Sequence, residues 1–181
     1  MIKTLKEINI FENRFWKFNN NKVLFNGKHE GEHIKMKSKG GHGVAILPID
    51  SEGYIHIQDE FRYGIDSYMT HVAMGGIKEN YTKEEAALEE LEEEMGLSTN
   101  KLTPFGYKRE LPNVMDHKCF LFVAEDVYLK NDKVSEITES FANKRKIHIE
   151  KAFEMAMNSE FECGTTQLLI IKYYLKYYKK N

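Results

Sequence analysis

Residues 75–97 read Gly75-Gly76-Ile77-Lys78-Glu79-Asn80-Tyr81-Thr82-Lys83-Glu84-Glu85-Ala86-Ala87-Leu88-Glu89-Glu90-Leu91-Glu92-Glu93-Glu94-Met95-Gly96-Leu97. Thr82 is placed to cap a helix, and Glu85 three residues on completes a capping box. Gly96 suits the left-handed position that ends such a helix, so the stretch predicts a helix from about Thr82 to Met95. Between Glu84 and Glu94 there are seven glutamates in eleven residues and no basic residue. At 100° per residue, Ala87, Leu88, Leu91 and Met95 share a core-facing stripe. Glu90, Glu93 and Glu94 fall together on a second face, and Glu85, Glu89 and Glu92 on a third, assigned to solvent. The pairs Glu85/Glu89, Glu89/Glu93 and Glu90/Glu94 place like charges one turn apart, each costing ~0.2–0.5 kcal/mol. A solvated face normally mixes signs, and this one does not. Three carboxylates on one face suit a hard divalent cation such as Mg²⁺ or Mn²⁺. The residues alone leave a metal site and a solvated acidic face both open.

Outward from the helix the chain alternates between strand-like runs and turns. Tyr68 to Met74 reads as a strand ended by Gly75-Gly76, where glycine lets the backbone approach an ion or ligand closely. Before it, Val44-Ala45-Ile46-Leu47 suits a buried strand, and Tyr54-Ile55-His56-Ile57-Gln58 reads as its hairpin partner. Phe15–Phe18, Lys22–Phe25 and His33–Met36 read as short alternating strands, with turns at Asn19-Asn20-Asn21 and Asn26-Gly27-Lys28. After the helix come strands at Phe105–Glu110 and Lys118–Ala124, a loop from Glu125 to about Lys144, and a strand at Lys146–Ile149. Helices over Glu150–Asn158 and Thr165 to about Tyr178 close the chain, the last packing Leu168, Leu169, Ile171 and Leu175. The expected class is α+β or mixed α/β. A small β appendage over 1–40 precedes a main domain over 41–181.

The 181 residues fit one core with a small addition. Hydrophobic residues at 41% and charged residues at 30% exclude a disordered or fibrous chain. A net charge of −2 argues against a protein devoted to neutralising nucleic-acid phosphates. No apolar run is long enough for a membrane span, and the first residues lack a secretory h-region. Cys119 and Cys163 are too few for a disulfide framework. A cytoplasmic protein without nucleic-acid or membrane partners is expected.

The glycine corner and acidic helix resemble the box of the Nudix hydrolase family, G-x5-E-x7-R-E-U-x-E-E-x-G-U with U apolar. Gly75, Glu90-Leu91, Glu93-Glu94 and Gly96-Leu97 stand at its spacing. Tyr81 replaces the first glutamate and Glu89 replaces the arginine, which in the family helps orient the catalytic glutamates. Asp59-Glu60-Phe61-Arg62-Tyr63-Gly64 looks like a segment of the ADP-ribose pyrophosphatase and nucleotide-sugar branch. The resemblance implies an α/β/α sandwich with a mixed sheet, and an N-terminal antiparallel appendage that pairs subunits of a homodimer. It implies Mg²⁺- or Mn²⁺-dependent cleavage of the diphosphate in a nucleoside diphosphate linked to a sugar. It further implies metal ligation by Glu90, Glu93, Glu94 and the Gly75 carbonyl. Glu93, or Glu136 or Glu139 in the late loop, would serve as base, with Glu139 favoured over Glu136. Arg62, Gly76, Met115 and Asp116 would contact substrate, Arg62 by pairing with a phosphate. Met115 and Asp116 belong to Leu111–Asp116, which stands where the branch has a substrate loop.

Two readings from other classes stay open. Tyr81 and Glu89 also fit a degenerate member that binds a nucleotide or partner without turnover, and the acidic helix also fits a plain interaction module. His29-Glu30-Gly31-Glu32-His33 matches a zinc-protease pattern, but Gly31 and the alternation after it argue for strand and turn rather than the helix that pattern needs.

Overall fold

The N-terminal residues build one antiparallel sheet from β1 (Ile2–Lys6), β2 (Asn9–Glu12), β3 (Trp16–Phe25) and β4 (His29–Ser38). β3 pairs along one edge with β1 and β2 and along the other with all of β4. Asn26 (φ 51°) and Gly27 (φ 71°) close the β3–β4 hairpin, with the Lys28 N–H donating to the Phe25 carbonyl at 3.0 Å. Positive φ at both central residues is the geometry that matches strand twist. The turn expected at Asn19-Asn20-Asn21 does not form. β3 runs straight through it, and Asn19 and Asn21 are buried on its inner face. The His29–His33 stretch is strand throughout, so its zinc-protease pattern lacks the helix it needs.

The computed structural model describes residues 1–130 and 141–179. Its second sheet is mixed and ordered β10-β11-β5-β8, from β5 (Gly43–Pro48), β8 (Ala73–Gly76), β10 (Lys101–Glu110) and β11 (His117–Glu125). β5 pairs parallel with β11 and antiparallel with β8. A third sheet joins β6 (Tyr54–Arg62) to β7 (Ser67–His71) and β13 (Phe141–His148). β9 (Leu97–Ser98) pairs with β12 (Tyr128–Leu129). Among the described residues three helices follow the chain order: α1 (Lys83–Met95), α2 (Ile149–Met157) and α3 (Gly164–Tyr177).

β5 is buried along its whole length because both of its faces are covered. Val44 and Ile46 join Phe122, Ala86, Ala87 and Leu91 in one core against α1. Ala45 and Leu47 join Leu121, Val123, Ala152, Leu169 and Ile170 in a second core against α2 and α3. The result is the expected α/β/α sandwich around a mixed sheet.

Several expectations are corrected. The hairpin between the Val44–Leu47 run and Tyr54–Gln58 persists only as an Ile49–Ile55 bridge; β5 takes β8 and β11 as neighbours, and β6 takes β7 and β13. The strand expected over Tyr68–Met74 breaks at Val72. Its N–H donates to Thr166 Oγ1 at 3.2 Å and its carbonyl lies 2.7 Å from His71 Nδ1, so its backbone is satisfied outside any ladder as the chain passes between sheets. Gly75 and Gly76 are the end of β8 rather than a break after it. The strand expected over Lys146–Ile149 extends back to Phe141. On α1 the buried stripe takes Ala86, Ala87, Leu91 and Met95, with Leu88 only partly buried. On α3, Leu169, Ile170 and Tyr173 are buried while Leu168 and Leu175 are exposed.

Candidate active site

The capping box forms as read: Glu85 N–H donates to Thr82 Oγ1 at 3.1 Å, and the Thr82 N–H donates back to Glu85 Oε2 at 2.9 Å. Gly96 ends the helix at φ 73°. These two caps bound α1, and the packing of Ala86, Ala87, Leu91 and Met95 in the core sets the faces that its glutamates present. Gly75 pairs with Val44 across the sheet, so both face α1. There the carboxylate of Glu90 lies directly on the glycine backbone. A Cβ at position 75 would stand 2.1 Å from Glu90 Cδ and Oε1 and 2.3 Å from Oε2. Glycine is therefore required here by space, and its φ is not in the positive region.

One turn on, Glu94 is only 2% exposed. Its Oε2 accepts from Gln58 Nε2 at 2.8 Å and from the Met74 N–H at 3.2 Å. Gln58 is itself fully buried on β6, so a strand of the third sheet holds a carboxylate of α1. Buried carboxylates require such donors. The Gln58 contact carries no periodic signature in the sequence; a glutamine within an alternating strand reads equally well as solvent-facing.

Glu93 is more exposed and meets Lys78, whose Nζ lies 3.3 Å from Glu93 Oε1 and 2.9 Å from Glu89 Oε2. The Tyr81 hydroxyl donates to Glu89 Oε1 at 3.1 Å. Glu89 raises both partners: its carboxylate favours the charged ammonium of Lys78 and the protonated phenol of Tyr81. The acidic helix is thus not uncompensated, because Lys78 from the preceding loop and Lys130 from beyond β12 reach Glu89, Glu93 and Glu92. Glu89 and Glu92, expected on a purely solvated face, are both ion-paired.

Gly40, Gly75, Gly76, Ile77, Lys78, Glu90 and Glu93 line a cavity of about 280 Å³. The donor set is hard oxygen: two buried carboxylates, the Gly75 cradle and a third carboxylate at the rim. That chemistry fits a small divalent cation. Among the described residues no three acidic, histidine or cysteine side chains are already gathered as a ligand set, since Glu93 is turned towards Lys78.

No protein-family model matches the chain. An ADP-ribose pyrophosphatase of Bacillus subtilis (strain 168) is 28% identical over 137 residues, covering 76% of this chain and 72% of that protein. The ADP compounds hydrolase NudE of Escherichia coli (strain K12) is 32% identical over 94 residues, 52% of this chain and 50% of that protein. The crystal structure of an ADP compounds hydrolase has the same fold, with a TM-score of 0.84 at 20% identity, over 97% of this chain and 94% of that one. These relatives, the fold and the box spacing on α1 agree. The chain resembles the Nudix hydrolases in fold, relatives and box spacing.

The other described residues expected in this site lie in two places. Arg62, at the end of β6, pairs with Glu60 at 2.7 Å and lines a second recess of about 210 Å³ with Met74, Gly75 and His117. Gln58, Glu60 and Arg62 share one face of β6, so the strand that holds Glu94 also aims Arg62 towards Gly75. Glu60 in turn lies 2.9 Å from Nε2 of the fully buried His71. Met115 and Asp116 are not gathered with the glutamates. They line a cleft of about 500 Å³ between the loop 111–116 and the N-terminal sheet, together with Asn21, His33, Lys35 and Arg109. Met36 joins the two sides, its N–H donating to the Val114 carbonyl at 2.6 Å. Glu136 and Glu139 lie outside the described residues. Lys78 and Gln58 are the site residues that sequence reasoning missed. A signal for Lys78 exists in the sequence, since it is the single basic residue between Gly75 and the helix cap.

Proposed function

We propose that this protein hydrolyses the diphosphate of a nucleoside diphosphate linked to a sugar, with ADP-ribose as the leading substrate and Mg²⁺ or Mn²⁺ as the ion. The observation that carries the reading is the Glu90 carboxylate seated on Gly75, with Glu94 fixed behind it by Gln58. Glu90, Glu94 and the Gly75 carbonyl would hold the ion, and Glu93 would complete the set or act as base. The ion, when bound, neutralises phosphate charge and acidifies a water molecule. Glu93, at the rim and partly exposed, would accept the attacking water's proton on a carboxylate oxygen. The Arg62 guanidinium suits a bidentate phosphate contact next to Gly75, and Gly76 in the adjoining cavity would contact substrate through its backbone. Met115 and Asp116, in the larger cleft, would contact the distal part of the substrate.

The relatives named for ADP-ribose and ADP compounds support this substrate class. The sheet over residues 2–38 is read as the appendage and as the contact between two copies, because Ile10, Phe11, Phe15 and Ile34 are all exposed on it. Light scattering that reports a monomer at micromolar concentration would remove the dimer. A substrate panel with Mg²⁺, Mn²⁺ and EDTA tests the chemistry. ADP-ribose with Mg²⁺ is expected to release AMP, and Glu93→Gln to slow release by ~100-fold. Binding of ADP-ribose without any AMP would instead establish a non-hydrolytic member.

A further inference from the structure

Two positions depart from the family box, and they touch each other. Tyr81 stands where the box has glutamate and Glu89 where it has arginine, and the Tyr81 hydroxyl donates to Glu89 Oε1 at 3.1 Å. The other Glu89 oxygen, Oε2, takes the Lys78 ammonium at 2.9 Å. The same ammonium lies 3.3 Å from Glu93 Oε1 and 3.5 Å from Glu93 Oε2. Each oxygen of Glu89 is thus engaged, one by a phenol and one by a cation. The chain still places a cation against Glu93, but brings it from the loop after β8 rather than from the helix.

The geometry points to Lys78 as a positioning residue for Glu93, with Tyr81 and Glu89 as its brace. Glu89 holds the ammonium at the cavity rim, and Tyr81 fixes the carboxylate that does the holding. This inference rests on the proposed diphosphate hydrolysis for its kinetic consequences, while the contact itself can be read without substrate. A positioning cation works against metal binding by charge and in favour of turnover by geometry, and the two effects can be separated.

The test measures Mn²⁺ affinity by the electron paramagnetic resonance of free Mn²⁺, and steady-state hydrolysis of ADP-ribose, on the full chain. Lys78→Met is expected to tighten Mn²⁺ at least threefold and to lower kcat at least tenfold with KM changed less than threefold. Lys78→Arg is expected to restore kcat to within threefold of the unmodified protein. Glu89→Gln leaves Lys78 to Glu93 alone and is expected to weaken Mn²⁺ at least threefold. Glu89→Arg, which restores the box residue singly, is expected to lower kcat, because it sets a second cation against Lys78. Tyr81→Glu combined with Glu89→Arg is expected to recover part of that loss. A Lys78→Met protein whose kcat stays within twofold, or whose Mn²⁺ affinity falls, overturns the assignment. So does a gain in kcat from Glu89→Arg alone. If the unmodified protein releases no AMP, the proposed function fails, and the opposite Mn²⁺ shifts of Lys78→Met and Glu89→Gln then decide the Lys78 contact by themselves.

Discussion

Gly75→Ala isolates the cradle on which the site depends. The added methyl would stand 2.1 Å from Glu90 Cδ, whereas carbon atoms pack at about 3.5–4.0 Å. The carboxylate must therefore retreat by about 1.5 Å or more. The backbone at position 75 does not have a positive φ, so alanine is not strained there by its own torsions. Alanine also lowers the conformational entropy of the unfolded chain, which favours folding by about 0.4–1 kcal/mol. Against that stands an off-rotamer Glu90, about 0.5–1.5 kcal/mol, and the disturbance of a charged group's contacts, about 1.5–3 kcal/mol. The net expectation is a loss of about 1–4 kcal/mol, read as a fall of ~2–16 °C in melting temperature for a domain of this size. Turnover should fall further, by ~100-fold, because a misplacement of about 1 Å at the reacting centre has that effect. The assays are thermal melting, Mn²⁺ titration and AMP release. Removing the obstruction in Gly75→Ala with Glu90→Ala should return the melting temperature towards that of Glu90→Ala alone, without returning activity. A Gly75→Ala protein that binds Mn²⁺ and turns over normally would refute the cradle.

Three further outcomes follow from the same contacts. Gln58→Leu strips a donor from the buried Glu94, and at about 1.5–3 kcal/mol for a charged hydrogen bond should lower the melting temperature by ~4–10 °C and weaken Mn²⁺ binding; an unchanged melt would place the Glu94 support elsewhere. Mg²⁺ at about one hundred times its dissociation constant should stabilise the fold by ~2.7 kcal/mol in a melt, and the effect should vanish with EDTA or in Glu90→Gln with Glu94→Gln. His56 is held below the ordinary histidine range, chiefly by burial, so the folded state resists its protonation. Its contribution is complete above pH ~6.5 and declines as the pH falls from there through the lowered folded value. Urea unfolding at pH 7.5 and 5.5 should show that decline, and His56→Gln should reduce it.

Local signals suffice to define α1. The capping box and the C-terminal glycine bound it, the stripe of Ala87, Leu91 and Met95 orients it, and the box spacing places Glu90 and Glu94 beside Gly75. What failed were readings that needed long-range information. Asn19-Asn20-Asn21 carries turn residues, yet β3 continues through it because β4 pairs along the full strand. The expected β5–β6 hairpin lost to the pairing of β5 with β11, whose partners lie more than seventy residues away. Arg62 and Met115 were both expected to contact substrate, yet the fold sends them to different recesses.

Sequence alone determined the helix, its caps and the carboxylate set, because capping, periodicity and the box spacing are all properties of residues within one segment. It put a glycine at position 75, but the requirement for glycine there comes from the Glu90 carboxylate lying against it in space. Tertiary structure decided which carboxylate is buried, which is paired and by what. Gln58 reaches Glu94 from thirty-six residues away, and Lys78 reaches Glu89 and Glu93 from across a loop. Burial and charge pairing depend on distances through space, which a linear pattern does not encode.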